Sequence, residues 1–261
     1  MLHSNVSIIG SGNLAWHLAP ALDNAGFVVK EVFSRNPRHA EALTERLYQA
    51  EVKATLDFST SESRLFILAV KDDAIRSIAQ EIVLPENALL LHTSGSQSID
   101  ELQFAACAHL GVLYPLQTFS KSRKIDFRTV PLFIETSSAE AEKKVKGLAN
   151  TLSDQVTKIT SHERKALHVA AVFASNFSNQ MLAISQAILQ QNSIDFAFLK
   201  PLIEETILKS LTIGPKQAQT GPASRGDLKI LDQHMDFLQE NPAIAEIYKM
   251  VSQHILNQMQ E

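Results

Sequence analysis

Apolar residues follow two rhythms along this chain, and the change between them divides it. From Val6 to Ile159, short apolar runs alternate with stretches in which apolar residues recur every three or four positions. The runs at Val6–Ile9, Phe27–Phe33, Leu65–Val70, Ala88–His92, Leu110–Leu113 and Val130–Glu135 read as strands, with shorter candidates at Ala54–Thr55 and Val156–Ile159. Helical spacing fills Asn13–Ala25, where Leu14, Leu18 and Leu22 align and Gly26 supplies the C-cap, although Pro20 should weaken or kink that helix. Further helices are predicted over Arg38–Ala50, up to Ile82 (with Asp72 or Asp73 as its cap) and over Ser138–Leu152. Tyr114-Pro115 should end a strand, because the residue before proline is pushed to extended geometry. Strands that alternate with helices in this way predict a parallel, doubly wound α/β sheet.

After residue 160 the strand pattern stops. Ser161 is the expected N-cap of a helix running from His162 to Gln191, and Glu163 suits its first turn. Within it, Ala166–Ala174 is apolar on every face except at His168, which predicts burial all round. Phe196–Leu211, Leu228–Glu240 (capped by Asp227) and Ala243–Met259 read as further helices. The Gly- and Pro-containing stretch 213–227 is long for a connection in a compact domain, and such stretches are often functional. The expected organisation is an α/β domain over residues 1–160 followed by an all-α domain over 161–261.

Composition narrows the class. With 45% hydrophobic and 20% charged residues in 261, the chain is that of a globular protein. A net charge of −4 gives no electrostatic reason to expect nucleic acid or an anionic membrane as partner. Cys107 is the single cysteine, so no intramolecular disulfide can form, which fits a reducing compartment. Met1–Asn5 is polar, without a signal pattern, and no apolar run is long enough to span a bilayer; a cytoplasmic protein is expected. His3, His17 and His39 lack ligand-type neighbours, so no metal site is expected.

The strongest chemical signal is Gly10-Ser11-Gly12-Asn13-Leu14-Ala15, a Gly-x-Gly-x-x-Ala turn directly after the first strand. In a Rossmann domain the first glycine makes the tight turn, the second admits a pyrophosphate close to the backbone, and the small third residue lets helix and strand pack. The helix start then faces the phosphates. At the tip of the second strand stand Ser34-Arg35 rather than an acidic residue. Glu31 has the right spacing from the glycines for a ribose-binding acid but lies inside the strand. Arginine at the tip accommodates a 2′-phosphate, which points to NADP(H); the alternative is a solvated surface charge. Val70, Lys71, Thr93 and Ser94 end strands at the same carboxyl edge and should line the crevice, although Thr93–Ser98 also reads as a simple helix-capping loop.

At 100° per residue His168, Ser175, Asn179 and Gln186 fall on one line of the long helix, with Asn176 close to it. Either these groups satisfy one another inside a core or dimer interface, or the helix backs onto the crevice and His168 and Asn176 act as proton donor and substrate anchor. Gln117 and Arg225 are the candidate substrate contacts, Arg225 with Thr220 and Ser224 for an anionic group.

Gly10-Ser11-Gly12-Asn13, Ser34-Arg35, Ala69-Val70-Lys71-Asp72, His92-Thr93-Ser94-Gly95, Tyr114–Phe119, His168–Asn176 and Thr220-Gly221-Pro222 with Arg225-Gly226-Asp227 together carry a resemblance spanning nearly the whole chain. It resembles NADP-dependent Rossmann reductases with a helical C-terminal domain, the group of pyrroline-5-carboxylate reductase, ketopantoate reductase and the β-hydroxyacid dehydrogenases. Within that group it is most similar to bacterial Rossmann-like proteins whose C-terminal helical domain has no assigned function. The resemblance implies an NADP oxidoreductase acting on a small molecule and dimeric through its helical domain. It departs from the β-hydroxyacid dehydrogenases, which place a catalytic lysine four residues before an asparagine. Here His168 and Val172 occupy those places, and Lys165 is followed by Val169. Histidine can serve instead, because imidazoles titrate near neutrality. Two functions follow: NADPH-dependent hydride transfer to a small C=O or C=N substrate, or dinucleotide sensing without turnover, for which the missing lysine–asparagine pair speaks.

Overall fold

The computed structural model describes residues 5–258, and His3 and Met259 lie outside them. The chain divides into two compact units, residues 1–176 and 177–261, so the helix that opens at residue 161 belongs with the sheet.

The first unit is built on one eight-stranded sheet in the order β3-β2-β1-β4-β5-β6-β7-β8. Its strands are β1 (Asn5–Ile9), β2 (Val28–Phe33), β3 (Glu51–Lys53), β4 (Leu65–Leu68), β5 (Leu89–His92), β6 (His109–Pro115), β7 (Leu132–Thr136) and β8 (Val156–Lys158). The helices are α1 (Asn13–Asn24), α2 (Pro37–Thr44), α3 (Ile75–Glu81), α4 (Ala139–Leu152) and α5 (Ser161–Ala171). Every residue of β4 and of β5 is buried, as expected for central parallel strands covered on both faces. Alternation along β4 sends Leu65 and Ile67 to a core shared with Leu18 and Leu22 of α1 and Val145 of α4. Phe66 and Leu68 go to the opposite core, with Phe58, Ile75, Ile78 and Leu90. Strand order reverses direction at β1 and β4, and ligands bind at the carboxyl ends beside such a switch point.

One expectation about the sheet fails. β6 and β7 pair antiparallel, with Pro115 opposite Leu132. A parallel return needs a crossover element, usually a helix, and residues 116–131 contain only a 3-10 turn at Phe127–Thr129. Pro20 is accommodated inside α1. α2 stops at Thr44 instead of reaching Ala50, the third strand falls at 51–53, and neither Asp72 nor Asp73 caps the next turn, whose N-cap is Lys71 without a side-chain bond. Thr160 is the N-cap of α5, in a capping box with Glu163, and this frees the Ser161 hydroxyl for another partner.

Beyond Ala171 the helix widens into a π-helical segment, Val172–Phe177. The second unit holds α6 (Ser178–Gln191), α7 (Lys200–Ile213), α8 (Pro215–Ala218), α9 (Leu228–Phe237) and α10 (Pro242–Gln258). The stretch 213–227 is therefore structured, by α8 and a 3-10 turn at Ala223–Arg225, and Asp227 stands at the N-cap of α9 without a side-chain cap bond. The predicted all-round burial of Ala166–Ala174 is not seen: Val169 is 49% and Phe173 63% exposed. No helix among the described residues is long and apolar enough to cross a membrane.

Candidate functional site

The turn out of β1 opens onto a cavity of about 550 Å³ lined by Gly10, Ser11, Gly12, Asn13 and Leu14. Ser34 and Arg35 from the tip of β2, Val70 and Lys71 after β4, and Thr93 after β5 also line it. These ten residues are all nucleotide-site candidates from the sequence. Gly10 has φ +115°, and a Cβ there would stand 2.1 Å from the Ala69 carbonyl oxygen. A Cβ at Gly12, by contrast, would meet nothing within 4 Å, so the backbone is open where a ligand would approach. α1 begins at this point with no side-chain cap and no acidic residue in its first turn. Its first N–H groups and the positive end of its dipole are left for an anion. The cradle fits a pyrophosphate.

At the rim, Ser11 Oγ donates to Ser34 Oγ at 2.8 Å, which ties the glycine turn to the β2 tip. Arg35 has no ion pair among the described residues. Glu31 is committed elsewhere: it accepts from Ser7 Oγ at 2.6 Å and from Ser61 Oγ, and pairs with Lys53 Nζ at 3.6 Å. A cationic, carboxylate-poor rim fits a 2′-phosphate.

The loop after β5 has both roles that the sequence allowed. Thr93 lines the cavity while its hydroxyl donates to the Leu68 carbonyl at 3.0 Å. Ser94 faces inward, where its Oγ accepts from Ser96 N at 3.1 Å and Gln97 N at 3.0 Å, and it is absent from the cavity wall. Ser98 caps the following 3-10 turn.

Gly95 separates this loop from a second polar feature. Tyr114, at the end of β6, and His168 of α5 are hydrogen-bonded, O–η to Nδ1, at 3.0 Å. Both rings press on Gly95, where a Cβ would lie 2.5 Å from His168 Nδ1 and 2.8 Å from Tyr114 Cζ. Burial pushes the Tyr114 hydroxyl above its ordinary pKa, opposed by the nearby Arg164 charge. Tyr114 was legible as a strand end and as the first residue of the Tyr114–Phe119 motif, and its pairing with His168 carries no signal in the sequence.

Arg164, one helical turn before His168, was missed altogether. Its side chain is 1% exposed and its Nη2 meets Glu135 Oε2 at 2.8 Å. Nη1 donates to the carbonyls of Ser94 at 2.9 Å and Gln97 at 2.7 Å, and Ser161 Oγ donates to Glu135 Oε1 at 2.8 Å. The guanidinium thus pins the start of α5 to the β5 loop and to β7, and with it the position of His168. Burial, helped by its charge, holds the His92 imidazole down at about 4.

Neither Asn176 nor Gln117 lines the cavity at the β1–α1 turn. Asn176 is exposed and lies in the π segment, where the 100° phase that aligned it with His168 no longer applies. Gln117 turns onto its own loop, accepting from Thr118 N at 2.8 Å, and lines a separate cavity of about 470 Å³. Arg225 is exposed in the second unit. Among the described residues no three His, Cys, Asp or Glu are grouped as a metal would need.

Comparison with known proteins places this geometry. Residues 5–94 match the family model described as NADP oxidoreductase coenzyme F420-dependent, and residues 130–255 match a domain of unknown function, DUF2520. No curated protein matches the chain. Among solved structures, the "putative NADP oxidoreductase BF3122" from Bacteroides fragilis is 38% identical over 97% of this chain and 98% of its own, with a TM-score of 0.88. A reductive aminase from Aspergillus terreus, in complex with NADPH and ethyl-5-oxohexanoate, shares the fold at 16% identity over 99% of this chain and 94% of its own, TM-score 0.75. An imine reductase from Streptomyces aurantiacus does so at 15% identity over 97% and 96%, TM-score 0.64. Identity over almost the full length of both chains, joined to the two family matches in order, is decisive: this chain belongs to the NADP oxidoreductases that couple an F420-dependent-type nucleotide domain to a DUF2520 domain.

Proposed function

We propose that the protein is an NADPH-dependent reductase of a small C=O or C=N substrate. The observation that carries the reading is the cavity at the β1–α1 turn, where an open glycine, an uncapped helix start and the Ser34–Arg35 rim stand together. Gly10–Leu14 would hold the pyrophosphate and Ser34–Arg35 the 2′-phosphate. NADPH held there would supply the hydride for the substrate carbon. The proton needed by the substrate oxygen or nitrogen comes, in this reading, from His168, oriented through Nδ1 by Tyr114. Asn176, Gln117 and Arg225 are kept as substrate contacts on the sequence argument. The fold shared with a reductive aminase and an imine reductase favours C=N over C=O.

The test is NADPH oxidation over a panel of ketones and aldehydes, each with and without ammonia or a primary amine. Turnover that appears only with the amine supports imine reduction. On a genuine substrate, His168→Ala should lower kcat by about 10²–10⁴-fold, the usual worth of a positioned general acid. Undiminished turnover removes His168 from the reaction. Arg35→Ala should weaken NADP⁺ by about 10–100-fold while sparing NAD⁺, the worth of a charge-assisted contact. Tight NADP⁺ binding with no oxidation of any panel member would favour the sensor reading, for which the absence of a lysine–asparagine pair on α5 speaks.

Self-association and a cytoplasmic location belong to the same proposal. Ile207, Leu208 and Leu211, which share one face of α7, are 53%, 63% and 81% exposed, an apolar surface that a second copy would cover. Light scattering after size exclusion reads this directly: a monomeric mass rejects it.

A further inference from the structure

A second cavity, of about 730 Å³, shares no lining residue with the nucleotide cavity and is larger. It lies between the outer face of α1, the segment after Phe119 and the end of α4. Five cationic side chains line it, Arg46, Lys121, Arg123, Lys124 and Arg128, against one carboxylate, Asp126. That carboxylate is engaged in capping, accepting from Arg128 N at 3.0 Å. Arg128 is paired with Asp154, but Arg46, Lys121, Arg123 and Lys124 form no ion pair among the described residues. So dense a positive concavity stands out in a chain whose net charge is −4.

The cations are held without being neutralised. Trp16 gives them an aromatic seat: Arg46 Cζ lies 4.1 Å and Lys121 Nζ 4.6 Å from its ring centroid. A cation over an indole is attracted by the ring and keeps its full charge. Arg46 also donates to the Trp16 carbonyl, and His17 Nε2 meets the Ser120 carbonyl at 2.9 Å, so the loop bearing Lys121 is fastened to α1. Neither Arg46 nor Lys121 pairs with a carboxylate among the described residues, so an anion entering the cavity meets both charges. A concave cluster of this sign focuses potential on small anions. Guanidinium forks match phosphate oxygens in pairs, and several cations call for several charges.

We infer that this cavity is a binding site for a small molecule carrying two or more phosphate groups, distinct from the nucleotide site. A volume of several hundred Å³ suits a small molecule, and the negative chain as a whole repels a long polyanion. The inference does not rest on the reductase reading.

Trp16 is the only tryptophan and lines this cavity, so its emission responds to a ligand bound there. The test titrates inorganic tripolyphosphate into the full chain under saturating NADP⁺, which blocks the other cavity. Tryptophan emission and isothermal titration calorimetry are read in parallel. Saturable binding is expected, weakening as salt is raised. In the Arg123→Gln/Lys124→Gln variant the Kd should rise at least tenfold with unchanged far-UV circular dichroism; if that variant misfolds, Lys121→Gln serves. Lys146→Gln, at an exposed lysine of α4 that lines neither cavity, should bind tripolyphosphate as the wild type does. Absence of saturable heat, an unchanged Kd in the double variant, or equal binding of sulfate at matched ionic strength overturns the inference. So does an RNA oligomer that binds more tightly and displaces tripolyphosphate, since the surface would then serve a polymer.

Discussion

Arg164→Met tests whether the buried guanidinium holds the start of α5. The wild-type side chain is 1% exposed, and its partner Glu135 is 16% exposed. Removing the cation leaves Glu135 with Ser161 alone and withdraws a donor from the carbonyls of Ser94 and Gln97. Breaking a buried ion pair by deleting one partner costs about 3–5 kcal/mol, because the other charge stays behind without compensation. Water reaches part of Glu135, which offsets some of this, whereas the two deserted carbonyls add to it. The expected loss is about 3–5 kcal/mol, or roughly 6–20 °C in melting temperature for a unit of this size. Guanidinium chloride unfolding followed through Trp16, which belongs to the same unit, measures it. Neutralising the stranded acid separates the pair from the packing: Arg164→Met/Glu135→Gln should recover about 1–2 kcal/mol over Arg164→Met. A single-variant loss below about 1 kcal/mol, or strictly additive losses in the double variant, would refute the account.

Three further outcomes are expected. Gly10→Ala puts a Cβ 2.1 Å from backbone at a φ of +115°, so NADP⁺ binding should fall below detection by calorimetry. Wild-type affinity in that variant would dissociate the cavity from the nucleotide. Gly95→Ala drives a methyl between Tyr114 and His168 and should cost about 1–3 kcal/mol by overpacking. Adding His168→Ala makes room and should return part of it, and no recovery would place the strain elsewhere. His92 is buried and held neutral at about 4, below the ordinary 6.5, so the unfolded chain binds its proton first. Stability from this group is whole above pH 6.5 and is lost as pH falls towards 4, roughly 2 kcal/mol by pH 5. Urea unfolding from pH 7 to pH 4.5 should show that slope in the wild type and a shallower one in His92→Gln; parallel slopes would contradict it.

What could be read from the sequence was what local rules determine. β4 and β5 were visible because a strand buried on both faces must be a continuous apolar run. The nucleotide turn was visible because few residues tolerate its backbone. Arg164 was hidden for the opposite reason. An arginine in the first turns of a helix reads as solvated, and its burial depends on Glu135, Ser94 and Gln97, 29, 70 and 67 residues away. Asn176 was misphased because helical arithmetic assumes 3.6 residues per turn, and the π segment at 172–177 breaks that assumption without a proline or glycine to announce it. The apolar sweep 166–174 predicted burial, yet a sequence reports only that a surface avoids water. In one copy of the chain Val169 and Phe173 remain exposed.

The strand order then decides how the two chemical features relate. Gly10 follows β1, Val70 follows β4, Thr93 follows β5 and Tyr114 is the second-to-last residue of β6, and these four strands are consecutive neighbours in the sheet. At 4.7–4.9 Å per step, β6 stands roughly 14 Å along the edge from β1. The nucleotide cavity already extends to Thr93 on β5. A ligand anchored by phosphate at the β1 turn and lying along this edge therefore approaches the Tyr114–His168 pair across a single strand spacing. Gly95, two residues past Thr93, is the wall between them, and its missing side chain is what lets both rings come so near. Strand order thus sets Tyr114 one strand beyond the cavity, and Arg164 fixes the helix that brings His168 to it.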